Sequence, residues 1–514
     1  MRPILSAAQM RLCDQYTIDH GTPSRKLMER AARAAITVMK QELPLDFKSH
    51  VLVLCGSGNN GGDGFAMARF LWDEGYHTTV CYGGAYQNSL PDIDRMSTEC
   101  ARQYDLWQAS GGTTVDVLAP LSANTIVVDA LLGIGLDRPV TGKLADWIEA
   151  INASGLPVLA VDIPSGICAD TGHVLDHAIR ADVTATMAHP KIGLLLYPGA
   201  AHAGKLHTCD IGIGLDALSE DAPALFEIIP EDLAPLLYRP AYANKGTFGR
   251  VLVVGGASGM CGAPYFTAKT AYRAGAGLCE VMTHPDNRIP IQTLLPEAVF
   301  TPWTTDEVLL TAALDRADAV VLGCGLGLSP DALTLTEHVI RRCAKPLVLD
   351  ADALNLLAAH KPLQAAVAAR KHPTVLTPHL GEASRLCGLK TSDIASSLLP
   401  TARELARRMN AVCILKDART IISDGSRCYI QSHGNSGMAT GGSGDCLAGL
   451  VGSLLAQHRD HPDLSPTLVA AHSVLLHALA GDRAAEQLGE HAVMASDLAD
   501  TIGEVLHTLS NQNK

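Results

Sequence analysis

The sequence predicts an α/β protein built from two successive doubly wound sheets, and three observations carry that expectation. Short, continuous apolar runs such as Val51-Leu52-Val53-Leu54 and Val251-Leu252-Val253-Val254 alternate with segments of helical period, as expected of parallel strands buried on both faces. Several of these runs end in a loop carrying Gly with Asn or Asp, the arrangement that places polar groups at the carboxyl edge of a parallel sheet. The chain has 514 residues, too many for one ordinary core, so at least two domains are required.

Taken in order, residues 6–40 read as two helices separated at Gly21-Thr22-Pro23-Ser24, with Leu27, Met28, Ala31, Ala35 and Val38 on one face of the second. A strand at 51–54 runs into a glycine-rich loop, Cys55 to Gly64, followed by a helix over 65–74. Further strands are predicted at 79–82, 125–129, 158–162 and 181–187. The pattern lapses at 215–245, where Pro230-Glu231-Asp232 and Arg239-Pro240 interrupt it, and this stretch is taken as the junction. The expected domains are therefore 1–220 and 225–510. The second begins with a strand at 250–254 and continues with strands at 319–322, 346–350, 374–377, 412–416 and 420–423, before a buried helix over 467–488. Its loops differ from those of the first half, so the halves are not a repeat.

A net charge of -13, with no block of Lys or Arg, argues against nucleic acid or an anionic membrane as partner. Fourteen scattered cysteines, with no C-x-x-C pair, read as reduced apolar fillers. No apolar run reaches membrane-spanning length and the first residues lack a signal-peptide core, so a cytoplasmic protein is expected. A homo-oligomer is expected as well.

Three strand ends of the first half carry polar groups: Asn59 to Gly64, Asp129 to Gly135, and Asp162 to Gly166. Singly, each is explained by a tight turn with an Asx cap; together, at one sheet edge, they point to a ligand site. Asn60, Asp129 and Ser165 offer oxygen only, which suits a hard cation, and a single carboxylate favours a monovalent one. Asp162 is the acid/base candidate. Lys191 either faces an anionic substrate or is simply solvated.

In the second half the stretch Gly434 to Asp445 holds five glycines and opens a small-residue apolar helix. Unpaired N–H groups and the helix dipole make such a start an anion site. A carboxylate is repelled by bound phosphate, so Asp445 reads as a proton acceptor or metal partner, with a plain helix cap as the alternative. The loops 323–327, 350–355, 377–382 and 415–420 converge with it into a cleft for a nucleotide and a second substrate. Lys416 supplies a point charge for phosphate and Asp445 stands at the reacting hydroxyl. His379 alone reads as a hydrogen-bonded structural histidine.

The motifs LSAAQMRLCD, GNNGGDG, DALLGIGL, VDIPSG and HPKIGLLL make residues 1–215 resemble the YjeF N-terminal family of NAD(P)HX epimerases. The resemblance implies a Rossmann-like fold, K⁺ held by Asn60, Asp129 and Ser165, and hydrated nicotinamide nucleotide, NADHX or NADPHX. The nucleotide is bound at Asn59, Asn60, Gly61, Gly62 and Asp63, at Gly133, Ile134, Gly135, Leu136, Asp137, Arg138 and Pro139, and at Asp162. Arg30 stands where that family usually has Asn. Residues 225–505, with NKGTFGRVLVVGG, AYRAGAGL and LDADALN, look like the ribokinase-like NAD(P)HX dehydratase family. That resemblance implies ADP as phosphoryl donor, contacted at Lys416, Asp417, Ala418, Arg419, Thr420 and Gly444, and hydrated nucleotide at Ala263, Gly327, His379 and Asp445. Cys324 and Leu380 stand where proline is usual, Asp417 replaces glycine and Ser443 replaces threonine. Mg²⁺ is expected because two anions must approach each other during transfer. Together the resemblances imply epimerisation of the R and S hydrates through Asp162, and ADP-dependent dehydration of the S form through Asp445, giving AMP and phosphate. The alternative is a ribokinase-like small-molecule kinase with a noncatalytic N-terminal binding domain.

Overall fold

The computed structural model describes residues 1–218 and 224–512, which form two compact units: Pro3–Pro223, and Ala224–Lys514 together with Met1–Arg2. The first is built on a seven-stranded sheet, parallel throughout, in the order Lys205–Cys209, Val183–Met187, Val158–Val161, Thr125–Ala130, His50–Cys55, His77–Tyr82, Thr114–Val115. The chain winds outward in one direction from His50–Cys55 and in the other from Thr125–Ala130. Their carboxyl ends therefore form a topological switch point, where the two loops diverge and leave a crevice. The edge strands Thr114–Val115 and Lys205–Cys209 are short and largely polar, so no apolar run announces them.

Helix Ser24–Glu42 buries Leu27, Met28, Ala31, Ala35 and Val38, the face that the 3.6-residue period predicts. The stretch expected as a loop up to Gly64 is different. Helix begins at Asn59 and runs to Asp73, so six residues of the expected loop, Asn59 to Gly64, form its first turns. Glycine is a poor helix former, but here it permits close packing. A Cβ on Gly61 would lie 1.9 Å from the Gly56 carbonyl oxygen, and one on Gly62 would lie 2.8 Å from the Met28 side chain.

The second unit has an eleven-stranded sheet ordered Arg2–Pro3, Leu225–Glu227, Cys428–Ile430, Ile421–Ser423, Val412–Leu415, Thr374–Leu376, Leu347–Leu349, Ala319–Leu322, Arg250–Val254, Leu278–Thr283, Val299–Pro302. Ile421–Ser423 is antiparallel to both neighbours, and the pairs from Val412–Leu415 to Val299–Pro302 are parallel. The expected junction at 215–245 is thus partly structured, since Leu225–Glu227 pairs with Cys428–Ile430 some 200 residues later in the chain. A three-residue strand whose partner is that remote has no local signature.

Helices Ser443–Gln457 and Pro466–Leu488 are buried along most of their length. Each fully buried leucine of the first, such as Leu450 or Leu454, contributes about 1.5–3 kcal/mol. Gly449 lets this helix touch helix Gly262–Arg273, because a Cβ there would fall 2.1 Å from the Thr267 carbonyl oxygen. Among the described residues no helix is long and apolar enough to cross a membrane.

Candidate active sites

At the switch point of the first sheet lies a cavity of about 810 Å³, lined by Asn59, Asn60 and Asp63, by Gly133 to Arg138, and by Asp162, Lys191, Asp14 and Arg11 among others. Gly61, Gly62 and Pro139, expected at the nucleotide, do not line it. The two glycines serve the packing described above.

Asp162 follows strand Val158–Val161 with φ 66°, a left-handed conformation that only a short polar side chain adopts without large cost. Its Oδ1 accepts from the Met187 N–H at 3.0 Å and from the Lys191 ammonium. Lys191 is neither solvated nor free to meet an anion. Its side chain is buried, and Nζ also donates to Thr186 Oγ1 at 2.9 Å and to the Met187 carbonyl at 3.0 Å. Two further carboxyls share the cavity. Burial and the neighbouring Asp162 charge raise the pKa of Asp14, while burial with the charges of Asp162 and Asp14 raises that of Asp63 well above the ordinary carboxylate range.

Behind this wall Asp129 and Ser165 are fully buried. Asp129 accepts from the Ser165 hydroxyl at 2.6 Å and its N–H at 2.7 Å, and burial pushes its pKa up to about 6 against these bonds. Ser165 Oγ accepts from the Leu132 N–H at 2.9 Å, and Asn60 Nδ2 donates to the Leu132 carbonyl at 3.1 Å. The other end of that amide, Asn60 Oδ1, is buried with no hydrogen-bond partner. An orphaned amide oxygen, a carboxylate whose partners are a hydroxyl and main-chain N–H groups, and Ser165 Oγ make an all-oxygen donor set that fits a desolvated monovalent cation. Arg30, the departure on helix Ser24–Glu42, donates to the Ile211 carbonyl at 3.0 Å and so anchors a residue of the cavity wall.

In the second unit Asp445 occupies the first turn of helix Ser443–Gln457, entered through Gly442 at φ 94°. Asp350, at the end of strand Leu347–Leu349, is almost fully buried and accepts from Thr377 Oγ1 at 2.6 Å and Lys416 Nζ at 2.9 Å. The Cys324 thiol and one oxygen each of Asp350 and Asp445 lie within 4.8 Å of one another. Burial, with the Asp350 charge, pushes Asp445 up to about 6. Burial opposes charge on Lys416, but Asp350 and Glu382 outweigh it and raise its pKa. Gly444 brings the main chain close to this pair, since a Cβ there would stand 3.2 Å from Lys416 Nζ. The two carboxylates supply hard oxygens that fit Mg²⁺, whereas the Cys324 thiol is too soft to be its ligand.

The remaining expected residues surround this cluster. The Gly327 N–H donates to Asp352 at 2.7 Å, and a Cβ on Gly325 would touch that of Ala263 at 3.0 Å. His379 caps helix Leu380–Cys387, its Nδ1 accepting from the Gly381 N–H at 3.0 Å, and burial with nearby Lys416 lowers its pKa. Leu380 takes the first helical position, where proline is equally at home because that N–H has no intrahelical partner. The segment Lys416 to Thr420 links two antiparallel strands, with Asp417 and Ala418 exposed, Thr420 Oγ1 donating to the Asp417 carbonyl at 3.2 Å, and Arg419 donating to the Ser432 carbonyl. Burial pushes Glu382, the last residue of the loop 377–382, up to about 7, whereas Asp482, which accepts from the Gly434 N–H and Asn435 Nδ2 at 3.0 Å each, belongs to no sequence motif. Asp14 has a visible signal: it lies one turn beyond buried Met10, placing a carboxylate on the inward face of helix Ala7–Asp19.

These features define the class: a two-domain α/β protein with one carboxylate-lined cavity and one carboxylate–lysine site beside a glycine-rich helix start. A family model described as NAD(P)H-hydrate dehydratase matches residues 251–504, and one described as YjeF-related protein N-terminus matches 24–193. Bifunctional NAD(P)H-hydrate repair enzymes from Coxiella burnetii and Escherichia coli are 35% and 36% identical, the alignments covering 95% and 94% of this chain and 96% and 89% of theirs. The ADP/ATP-dependent NAD(P)H-hydrate dehydratase of Bacillus subtilis, co-crystallised with ATP/Mg²⁺, is 26% identical with a TM-score of 0.48, covering 55% of this chain and 98% of its own. The chain belongs to the family of bifunctional NAD(P)H-hydrate repair enzymes. The small-molecule kinase alternative, which leaves the first domain without chemistry, is not favoured.

Proposed function

We propose that the cavity at the first switch point interconverts the R and S hydrates of NADH and NADPH, and that the Asp445 site dehydrates the S form at the expense of ADP. The observation that carries the reading is the pairing of each candidate acid/base carboxyl with a buried lysine network: Asp162 with Lys191, and Asp445 beside the Asp350–Lys416 pair.

In the hydrate the C6 hydroxyl shares its carbon with the ring nitrogen, whose lone pair stabilises the iminium left when the hydroxyl departs. Asp162, held by the Met187 N–H and Lys191, assists departure and return of water at C6. The Asn60, Asp129 and Ser165 oxygens would hold K⁺ directly behind this wall, fixing the strand-end loops that line the cavity.

In the second site Asp445 takes the proton of the C6 hydroxyl as that oxygen accepts the terminal phosphoryl group of ADP, releasing AMP. The N–H groups of Gly442 to Gly444 stabilise the charge that develops on the phosphoryl oxygens. The C6–O bond then breaks, phosphate leaves with the electron pair, and loss of a C5 proton restores the dihydropyridine. When bound, Mg²⁺ held by Asp350 and Asp445 would supply charge neutralisation between the two anions.

The test follows recovery of reduced-nicotinamide absorbance from an R/S mixture of hydrated NADH with ADP, Mg²⁺ and K⁺. Complete recovery is expected from the wild type, and recovery of the S fraction alone from Asp162→Asn. Asp445→Ala should recover neither, and full activity in that variant would refute the assignment.

A further inference from the structure

An epimerase must deliver the hydroxyl to both faces of one carbon, a task that two carboxyls on different walls of one cavity can share. Asp14 enters the same cavity from a separate element, helix Ala7–Asp19. Among the described residues no hydrogen-bond donor or cation is paired with its carboxyl, so both oxygens are available to a ligand. Arg11, one turn earlier on that helix, also lines the cavity without pairing to it. Asp162 differs, because it carries the ion pair with Lys191.

We propose that Asp14 is a second catalytic carboxyl of this cavity, so that Asp14 and Asp162, entering from different walls, serve the two faces of the nicotinamide ring. The inference rests on the epimerase reading of the cavity given above. Starting from one epimer, the Asp14 carboxylic acid gives its proton to the C6 hydroxyl. The C6–O bond breaks with its electron pair leaving in water, and the ring nitrogen lone pair forms the C=N⁺ bond. A water molecule then attacks C6 from the opposite face, its lone pair forming the new C–O bond, and its surplus proton passes to the Asp162 carboxylate. One carboxyl has lost a proton and the other has gained one. Turnover of the opposite epimer, or exchange with solvent, restores the starting state. The two roles require one carboxyl protonated and one ionised at the same time. Burial and the adjacent Asp162 charge both favour the neutral form of Asp14, while Asp162 has the Lys191 ammonium as its ion-pair partner.

The experiment follows conversion of purified R-NADHX to the S epimer by chromatography, in H₂¹⁸O, for the wild type, Asp14→Asn, Asp14→Glu and Asp162→Asn, with thermal unfolding of each. Asp14→Asn is expected to lower kcat by about 100-fold or more while KM stays within about threefold and the unfolding midpoint is retained. Asp14→Glu, which keeps the acid on a longer arm, should recover about a tenth of the activity, with KM unchanged. The wild type should place ¹⁸O at C6 with each inversion. Asp14→Asn at wild-type kcat beside an inactive Asp162→Asn overturns the second carboxyl and leaves the epimerase site standing. Both variants at wild-type activity overturn the roles given to these two carboxyls, no conversion by the wild type overturns the epimerase reading itself, and retention of the original C6 oxygen overturns departure of water. Should Asp14→Asn not fold, an unchanged kcat in folded Asp14→Glu likewise overturns the role.

Discussion

The ammonium of Lys191, buried completely, is held by the Asp162 carboxylate, the Thr186 hydroxyl and the Met187 carbonyl, while the Met187 N–H donates to the same oxygen of Asp162. One residue of strand Val183–Met187 thus orients both members of the pair. Removing one partner leaves the other charge buried without compensation. Lys191→Met is therefore expected to cost about 3–5 kcal/mol. Urea unfolding of the variant measures this, and an unchanged midpoint would show that solvent, not Lys191, balances Asp162.

The buried carboxyl of Asp129 gives a different dependence. Its pKa is raised from 3.8 to about 6, so folding favours the protonated form. The stability it contributes is complete below about pH 4 and is lost as pH rises through about 6. At about pH 8 the ionised group costs about 3 kcal/mol, which a monovalent cation among Asn60, Asp129 and Ser165 would offset. KCl in place of choline chloride should raise the melting midpoint at about pH 8 and have little effect at about pH 5. Asp129→Asn should remove the difference, and an equal K⁺ effect in that variant would place the ion elsewhere.

Asp445 is likewise raised to about 6, by burial first and by the Asp350 charge second. A proton acceptor must be ionised, so dehydration should fall about tenfold per pH unit below about 6. The same ionisation destabilises the fold above that value. Asp445→Asn is expected to raise the melting midpoint at about pH 8 while abolishing dehydration, the trade expected of a strained catalytic group. A variant less stable than the wild type there would contradict the sign of the shift.

Gly61→Ala tests the packing role of the glycine stretch. The added methyl would meet the Gly56 carbonyl at 1.9 Å, a main-chain atom that cannot step aside. A destabilisation above about 3 kcal/mol is expected, accompanied by loss of the cavity wall. Retained stability with weakened nucleotide binding would instead make Gly61 a contact residue.

Much of the architecture was legible from local pattern. The strand at 250–254 is continuous apolar residues, and its bounds in the structure are Arg250–Val254, because burial on both faces of a parallel sheet needs no alternation. The face of helix Ser24–Glu42 was legible for the equivalent reason at period 3.6. Helix Asn59–Asp73 began six residues before its apolar run, since close approach to Gly56 overrode the low helix propensity of glycine. Strand Leu225–Glu227 was invisible because what makes it a strand is Cys428–Ile430.

By itself the sequence determined the two α/β sheets, the strand ends near which Asn60, Asp129 and Asp162 stand and the helix start that carries Asp445, since apolar period and glycine position are properties of adjacent residues. Only the tertiary structure decided which charges meet. Lys191 is buried against Asp162, Lys416 pairs with Asp350, and Asp14 joins Asp63 and Asp162 in one cavity. Charge pairing and desolvation depend on distance through space, and the residues involved are up to about 150 positions apart in the chain.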